Sequence, residues 1–144
     1  MTTDTMQKMI IFEVAGQDYA LPLTAVKSIE RSLLVTRVPN TGPFVKGVAS
    51  LRGIMTPVLD MRALLGKPEA ETEGEQRILI VASGDVYAGL LTDSANELLE
   101  IDRDSIQLQD SGIAGSFMRG VVQEGKRIIR LLDHDEVLAY RGTR

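Results

Sequence analysis

Phe44-Val-Lys46-Gly47-Val48, followed thirteen residues after its glycine by Asp60 in Val58-Leu59-Asp60, recurs as Phe117-Met-Arg119-Gly120-Val121, followed at the same interval by Asp133 in Leu131-Leu132-Asp133. Upstream lies a second matched pair, Gly16-x-x-Tyr19-Ala20-x-x-Leu23-Thr24 and Gly84-x-x-Tyr87-Ala88-x-x-Leu91-Thr92. The matches are offset by 68 and 73 residues, so a small insertion separates them and the order of elements is kept. One small structural unit is used twice. Positions where two such copies have drifted apart are where function is expected.

Between these anchors the chain reads as short strands. Ile10-Ile-Phe-Glu-Val14 and Tyr19-Ala-Leu-Pro-Leu23 are strand-favouring runs parted by Ala15-Gly-Gln-Asp18, which has hairpin-turn chemistry. Residues 24–29 suggest a helical turn leading into a strand, then Leu33-Leu-Val35, and the loop Val38-Pro39-Asn-Thr-Gly42-Pro43 denies the backbone both helix and central ladder. Val45 to Met55 and Pro57 to Met61 read as a second hairpin turning near Arg52-Gly53, and Asp60 caps a short helix that Gly66 ends. Residues 67–76 hold four glutamates and no large apolar side chain, which predicts a solvated tether.

The second copy follows suit with Ile78-Leu-Ile-Val81, a turn at Gly84-Asp85, Tyr87 to Leu91, Leu98 to Ile101 and Ile106-Gln-Leu108. After a loop at 109–115, Gly120-Val-Val122 and Ile128 to Leu132 form a hairpin about Glu124-Gly-Lys126, and Asp133 to Tyr140 closes as a helix with Asp133 and Glu136 spaced as a capping box. Each half is thus about five short strands plus a helical turn, which predicts an all-β fold of small antiparallel barrels in a single domain, with lobes near residues 10–66 and 77–140 joined by the acidic linker 67–76 and exchange of strands between the barrels left open.

Composition narrows the function. A chain of 144 residues supports one compact domain or two small lobes sharing a core. A net charge of −4, an aromatic content of 4% and the absence of Trp argue against nucleic acid, which needs clustered cations or stacking platforms. With no cysteine, disulfides and thiolate metal sites are excluded. Residues 1–9 lack the pattern of a secretory signal and no apolar run is long enough to span a bilayer, so a cytoplasmic protein without direct membrane contact is expected.

Asp60 and Asp133 occupy matched positions and would be the candidates for a catalytic carboxylate pair. Each directly precedes an apolar helical pattern, however, where its oxygen can accept from the first free amides, so capping is the stronger reading. His134 is the only histidine and reads as a solvated residue near a helix start rather than a metal ligand. Phosphate-binding glycine loops and nucleophile elbows are absent. The expectation is a protein that is not an enzyme and carries neither metal nor cofactor.

The copies differ most at the second hairpin. Where one has Gln-Glu124-Gly125-Lys126-Arg, the other has Ser50-Leu51-Arg52-Gly53-Ile54-Met55-Thr-Pro57, leaving apolar surface in water unless something covers it. The cover is either the other lobe, with Leu51 and Ile54 in shared core and Arg52 as an internal organiser, or a separate protein.

Val38-Pro39, Phe44-Val-Lys-Gly-Val48, Leu51-Arg52-Gly53, Pro57-Val58-x-Asp60-x-Arg62, Gly89-Leu90 with Asp93, and the closing Gly120-Val, Ile128-Ile and Leu132-Asp133 together resemble the CheW family of chemotaxis coupling proteins, in order from Phe12 to Leu138. The resemblance implies two five-stranded SH3-like barrels packed around a hydrophobic core. It implies a non-enzymatic adaptor joining chemoreceptor cytoplasmic tips to the regulatory domain of a CheA-type histidine kinase. Carried over by position, the receptor face includes Val26, Gly47, Leu51, Arg52 and Gly53, with Ala95 and Leu98 from the second copy; it does not place the kinase contacts. Ser50 and Ser28 depart from the family's usual Asn and Glu, and no receiver domain is expected after Tyr140. The rival reading is a small-molecule- or RNA-binding double barrel, which requires a basic or deeply concave pocket.

Overall fold

The first apolar run alternates as a strand does, but both of its faces are covered. In the computed structural model, which describes residues 5–31, 33–39, 41–68, 76–108 and 117–140, strand β1 (Met6–Val14) turns through Ala15 and Gly16 into β2 (Gln17–Pro22). A 3₁₀ turn at Leu23–Ala25 leads into β3 (Val26–Glu30), then β4 (Val35–Thr36), β5 (Val45–Leu51), β6 (Ile54–Asp60) and helix α1 (Met61–Leu64). The second copy repeats this order as β7 (Arg77–Ser83), β8 (Val86–Thr92), β9 (Ser94–Asp102), a 3₁₀ turn at Arg103–Ser105, β10 (Gln107–Leu108), β11 (Met118–Glu124), β12 (Arg127–Leu132) and α2 (His134–Ala139). The tether expected at 67–76 and the loop expected at 109–115 lie wholly or largely outside the described residues.

Two six-stranded sheets result, ordered β10-β11-β12-β2-β1-β9 (sheet A) and β3-β7-β8-β6-β5-β4 (sheet B). The first hairpin of each copy is therefore built into the sheet of the other. It is joined there by one parallel pairing, β12 with β2 in sheet A and β6 with β8 in sheet B, within an otherwise antiparallel arrangement. The sixth strand of each sheet is the two-residue β4 or β10, too short to announce itself by alternation. In each sheet the two edge strands are neighbours along the chain, so the sheet curls around its own interior, although no ladder between those edges closes it among the described residues.

Three cores follow. Met9, Ile11, Ala20, Ile101, Val122, Ile129 and Leu131 fill the interior of sheet A. Ala49, Val58, Ile78 and Ile80 fill sheet B. The largest core lies between the sheets, where Ile10, Phe12, Val14 and Leu21 meet Leu59, Leu79, Val81 and Leu90. The repeated motif is explained at this seam. Phe44 and Phe117 both pack on Tyr140, with ring centroids 5.0 and 5.1 Å away. Their carbonyls accept from the amides of Asp60 and Asp133, both at 2.7 Å. The motif's glycines make room for the two-residue strands: a Cβ on Gly47 would lie 2.3 Å from the Thr36 carbonyl oxygen, and one on Gly120 would lie 2.7 Å from that of Gln107.

The crossover from sheet B to sheet A passes through Asp93. Its carboxylate accepts from Arg62 Nε at 3.0 Å and Nη2 at 2.6 Å, and from the Ala15 amide at 2.8 Å, while its own amide donates to Glu13. Burial opposes the charge, but the Arg62 hydrogen bonds and the Ala15 amide outweigh it and hold the Asp93 carboxyl below its ordinary range.

Gly47→Ala combines a left-handed φ of 152° with a backbone clash and is expected to cost roughly 3 kcal/mol in denaturant melts. Gly84→Ala, with φ of 60° and open space around it, is expected to cost only about 1 kcal/mol. Because folding lowers the Asp93 pKa, its contribution is present above the unfolded value and disappears as pH falls through the folded one. Melts taken between about pH 5 and pH 2 are expected to lose a stability component that Asp93→Asn lacks.

Candidate functional site

The two equivalent hairpin tips differ in how they treat water. At the β5–β6 tip, Arg52 and Gly53 form a two-residue turn with φ of 52° and 82°. Such a turn favours Gly, Asn or Asp, and a long side chain held at positive φ costs of order 1 kcal/mol. Arg52 is exposed and has no hydrogen bond or ion pair with any described residue, so it is not an internal organiser. Ile54 and Met55 beside it are 63% and 62% exposed, so Ile54 is not shared core. Leu51 is half-buried against the interior of sheet B, not against the seam.

At the β11–β12 tip, Arg127 stands where Ile54 stands in the first copy. Its guanidinium makes a two-pronged contact with Glu97, both bonds 2.9 Å, and a third bond to Asp18 at 3.1 Å. The Arg127 hydrogen bonds hold the Glu97 carboxyl below its ordinary range. One tip is closed by ions, the other left open and apolar.

Apolar surface runs from the open tip toward the seam. Met55 on β6 and Val86, at the start of the neighbouring β8, are 62% and 50% exposed, and Pro57 lies opposite Val48. Behind it the same side of the sheet passes through Ala88 and Val81, both buried in the core between the sheets, to half-buried Val26 on the edge strand. Both sheets present an edge strand there. Ile29 on β3 pairs with Leu79, and Leu98 on β9 pairs with Ile10; both partners belong to the core between the sheets, so Ile29 and Leu98 face the seam. They remain 40% and 52% exposed.

Of the residues expected at the receptor face, Arg52, Gly53 and Leu98 are exposed, and Val26 and Leu51 are half-buried. Gly47 lies buried under β4, and Ala95, paired with Phe12, belongs to the core between the sheets. Leu51, Arg52 and Gly53 cluster at the tip, whereas Val26 and Ala95 share the seam. Ile29, Met55 and Val86 complete this surface and were not among the expected residues. Ile29 was recoverable as the edge-strand counterpart of Leu98. Ser28 turns into sheet B opposite Ile80, and its hydroxyl is buried with no partner among the described residues.

The matched aspartates serve the backbone and do not form a carboxylate pair. Asp60 accepts from the Arg62 amide and Asp133 from the amides of Asp135 and Glu136, so each caps its own helix, on opposite sheets. His134 corrects the reading of it as solvated: its side chain is 18% exposed, covered as α2 packs against β7. Among the described residues no group of His, Cys, Asp and Glu could hold a metal ion. No helix of the described residues is long and apolar enough to cross a membrane. A cavity of about 380 Å³ opens at the mouth of sheet A, with Met9 and Leu131 among its apolar lining and Arg103 and Arg119 beside them. It lies on the sheet that does not carry the Leu-Arg-Gly tip.

A family model described as a CheW-like domain matches residues 8–141. The chain is similar to the chemotaxis protein CheW of Bacillus subtilis, 37% identical over 93% of this chain and 88% of that protein. It is also similar to the chemotaxis protein CheW of Rhizobium meliloti, 32% identical over 94% of this chain and 89% of that protein. Among solved structures, the scaffolding protein TtCheW from Thermoanaerobacter tengcongensis superposes with a TM-score of 0.82 at 27% identity, over 88% of both chains. The two curled sheets, the capping aspartates and the exposed Leu-Arg-Gly tip thus belong to a chain of the CheW-like family, a non-enzymatic scaffold protein of chemotaxis signalling.

Proposed function

We propose that this chain couples the cytoplasmic tips of methyl-accepting chemoreceptors to the regulatory domain of a CheA-type histidine kinase, working as a single unit of two lobes joined by the acidic tether. The receptor's helical hairpin lies along the seam, between the Arg52 tip with its apolar strip and the edge strands carrying Val26, Ile29 and Leu98. Gly47 and Ala95 support that surface from beneath. The protein reaches the membrane only through its receptor and works in the cytoplasm.

The observation that carries this reading is the contrast between the tips. Exposed Ile54, Met55 and Val86 fit an amphipathic helix laid into a groove, a mode in which apolar anchors spaced along a helix supply affinity. Arg52 adds direction, since its fork of donors matches a carboxylate or a helix-terminal carbonyl in one orientation. A strained turn residue with no partner among the described residues is what a contact site retains at a cost to stability.

Pull-downs with a purified receptor tip and a purified kinase regulatory domain, separately and together, test the coupling. Met55→Glu and Gly53→Glu are expected to weaken receptor-tip binding at least tenfold while kinase-domain binding persists. Equal loss of both partners, or no loss of the receptor tip, overturns the separate receptor face. Arg52→Asn is expected to raise stability by up to about 1 kcal/mol in a thermal melt, because Asn tolerates left-handed backbone, and to weaken the receptor contact. A destabilised Arg52→Asn would instead make Arg52 a structural residue.

A further inference from the structure

The chain passes between its sheets at two equivalent crossovers, and they are fastened very differently. From sheet B to sheet A it passes through Asp93, held by the two-pronged Arg62 contact, by the Ala15 amide and by its own amide on Glu13. Arg62 also donates through Nη1 to the Pro68 carbonyl at 2.8 Å, so it fastens the end of the first copy to the same point. From sheet A to sheet B the chain passes through the 3₁₀ turn Leu23–Ala25, where Thr24 holds the place of Asp93 but is exposed and makes no side-chain hydrogen bond with a described residue, and Ala25 packs on the core between the sheets. The counterparts of Ala15 and Arg62 are Gly84 and Asp135, and the link at this turn is a hydrogen bond from Ser83 Oγ, next to Gly84, to a largely exposed Asp135 carboxylate.

The two crossovers launch the two edge strands of the seam. Strand β9, with Ala95 and Leu98, starts at Ser94, directly after the fastened Asp93. Strand β3, with Val26 and Ile29, starts directly after Ala25. The partly buried guanidinium and carboxylate, each 20% exposed, form a fork-to-fork pair that fixes orientation as well as distance.

We propose that Arg62 and Asp93 are positioning residues for the receptor surface: they pin one crossover so that the spacing between β9 and β3 is fixed, and thereby set receptor affinity without touching the receptor. The weaker Ala25 side is where the seam yields when the pin is lost. This rests on the receptor reading above for its consequence, though not for its geometry.

The absence of native cysteine lets Lys27→Cys on β3 and Glu100→Cys on β9 be spin-labelled and their separation measured by pulsed electron resonance. The parent chain is expected to give one narrow distance distribution. Arg62→Ala and Asp93→Asn are expected to broaden it and to weaken receptor-tip binding about tenfold, with kinase-domain binding unchanged. Arg62→Lys, which keeps the charge and loses the fork, is expected to fall between, and gives the reading if Arg62→Ala does not fold. Val122→Ala, in the interior of sheet A, serves as a destabilised control and is expected to leave the distance and the receptor tip unaffected. An unchanged distribution in folded Arg62 and Asp93 variants overturns the pin, as does equal broadening in the control. Failure of the parent chain to bind a receptor tip, with broadening intact, removes the receptor reading and leaves the pin standing.

Discussion

The middle stretches of strands β1 and β7, residues 9–12 and 78–81, have no face left for water. Ile10, Phe12 and Val14 point into the core between the sheets while Met9 and Ile11 point into sheet A; in β7, Leu79 and Val81 point into the same shared core while Ile78 and Ile80 fill sheet B. A strand apolar on both sides needs a layer on each, and within one small sheet only one layer is available. Building each copy's first hairpin into the interior of the other's sheet answers this, because every such strand then lies between a curled interior and the opposite sheet. The crossovers, the parallel pairings and the position of the seam follow from that arrangement.

Once the two copies are locked together, they are free to differ at their extremities. Selection has left the shared machinery alike: the seam phenylalanines, the glycines beneath the two-residue strands and the capping aspartates do the same work in both halves. The tips have diverged, one closed by Arg127 with Glu97 and Asp18, the other open with Arg52, Ile54 and Met55. A scaffold needs such asymmetry, since two identical ends would not hold two unlike partners in a defined order.

Much of this was legible in the residues themselves. The repeat, the hairpins at Ala15-Gly16 and Arg52-Gly53, the helix caps at Asp60 and Asp133 and the apolar character of the first tip could be read because each rests on local chemistry, whereas what lies against that tip could not. Exchange of strands between the barrels was open from the sequence, but not which strands exchange, since pairing β6 with β8 and β12 with β2 depends on contacts between distant segments that leave no periodic trace. For the same reason Gly47 and Ala95 looked like surface positions: nothing nearby in sequence shows that β4 crosses one and that Phe12 lies beside the other. His134 misled because a lone polar residue at a helix start is usually wet, and only the packing of α2 covers it.

The exchange of hairpins also dictates the order in which the protein can be made. As the chain leaves the ribosome, β1 and β2 emerge ahead of the other strands with two greasy faces, yet the strands that flank them, β9 and β12, are translated only after β3 to β8. Sheet B can assemble once Thr92 has appeared, whereas sheet A waits for Leu132. A nascent chain stalled between those points carries an adhesive amino-terminal hairpin with nowhere to dock, the species that chaperones engage and that self-associates when they do not.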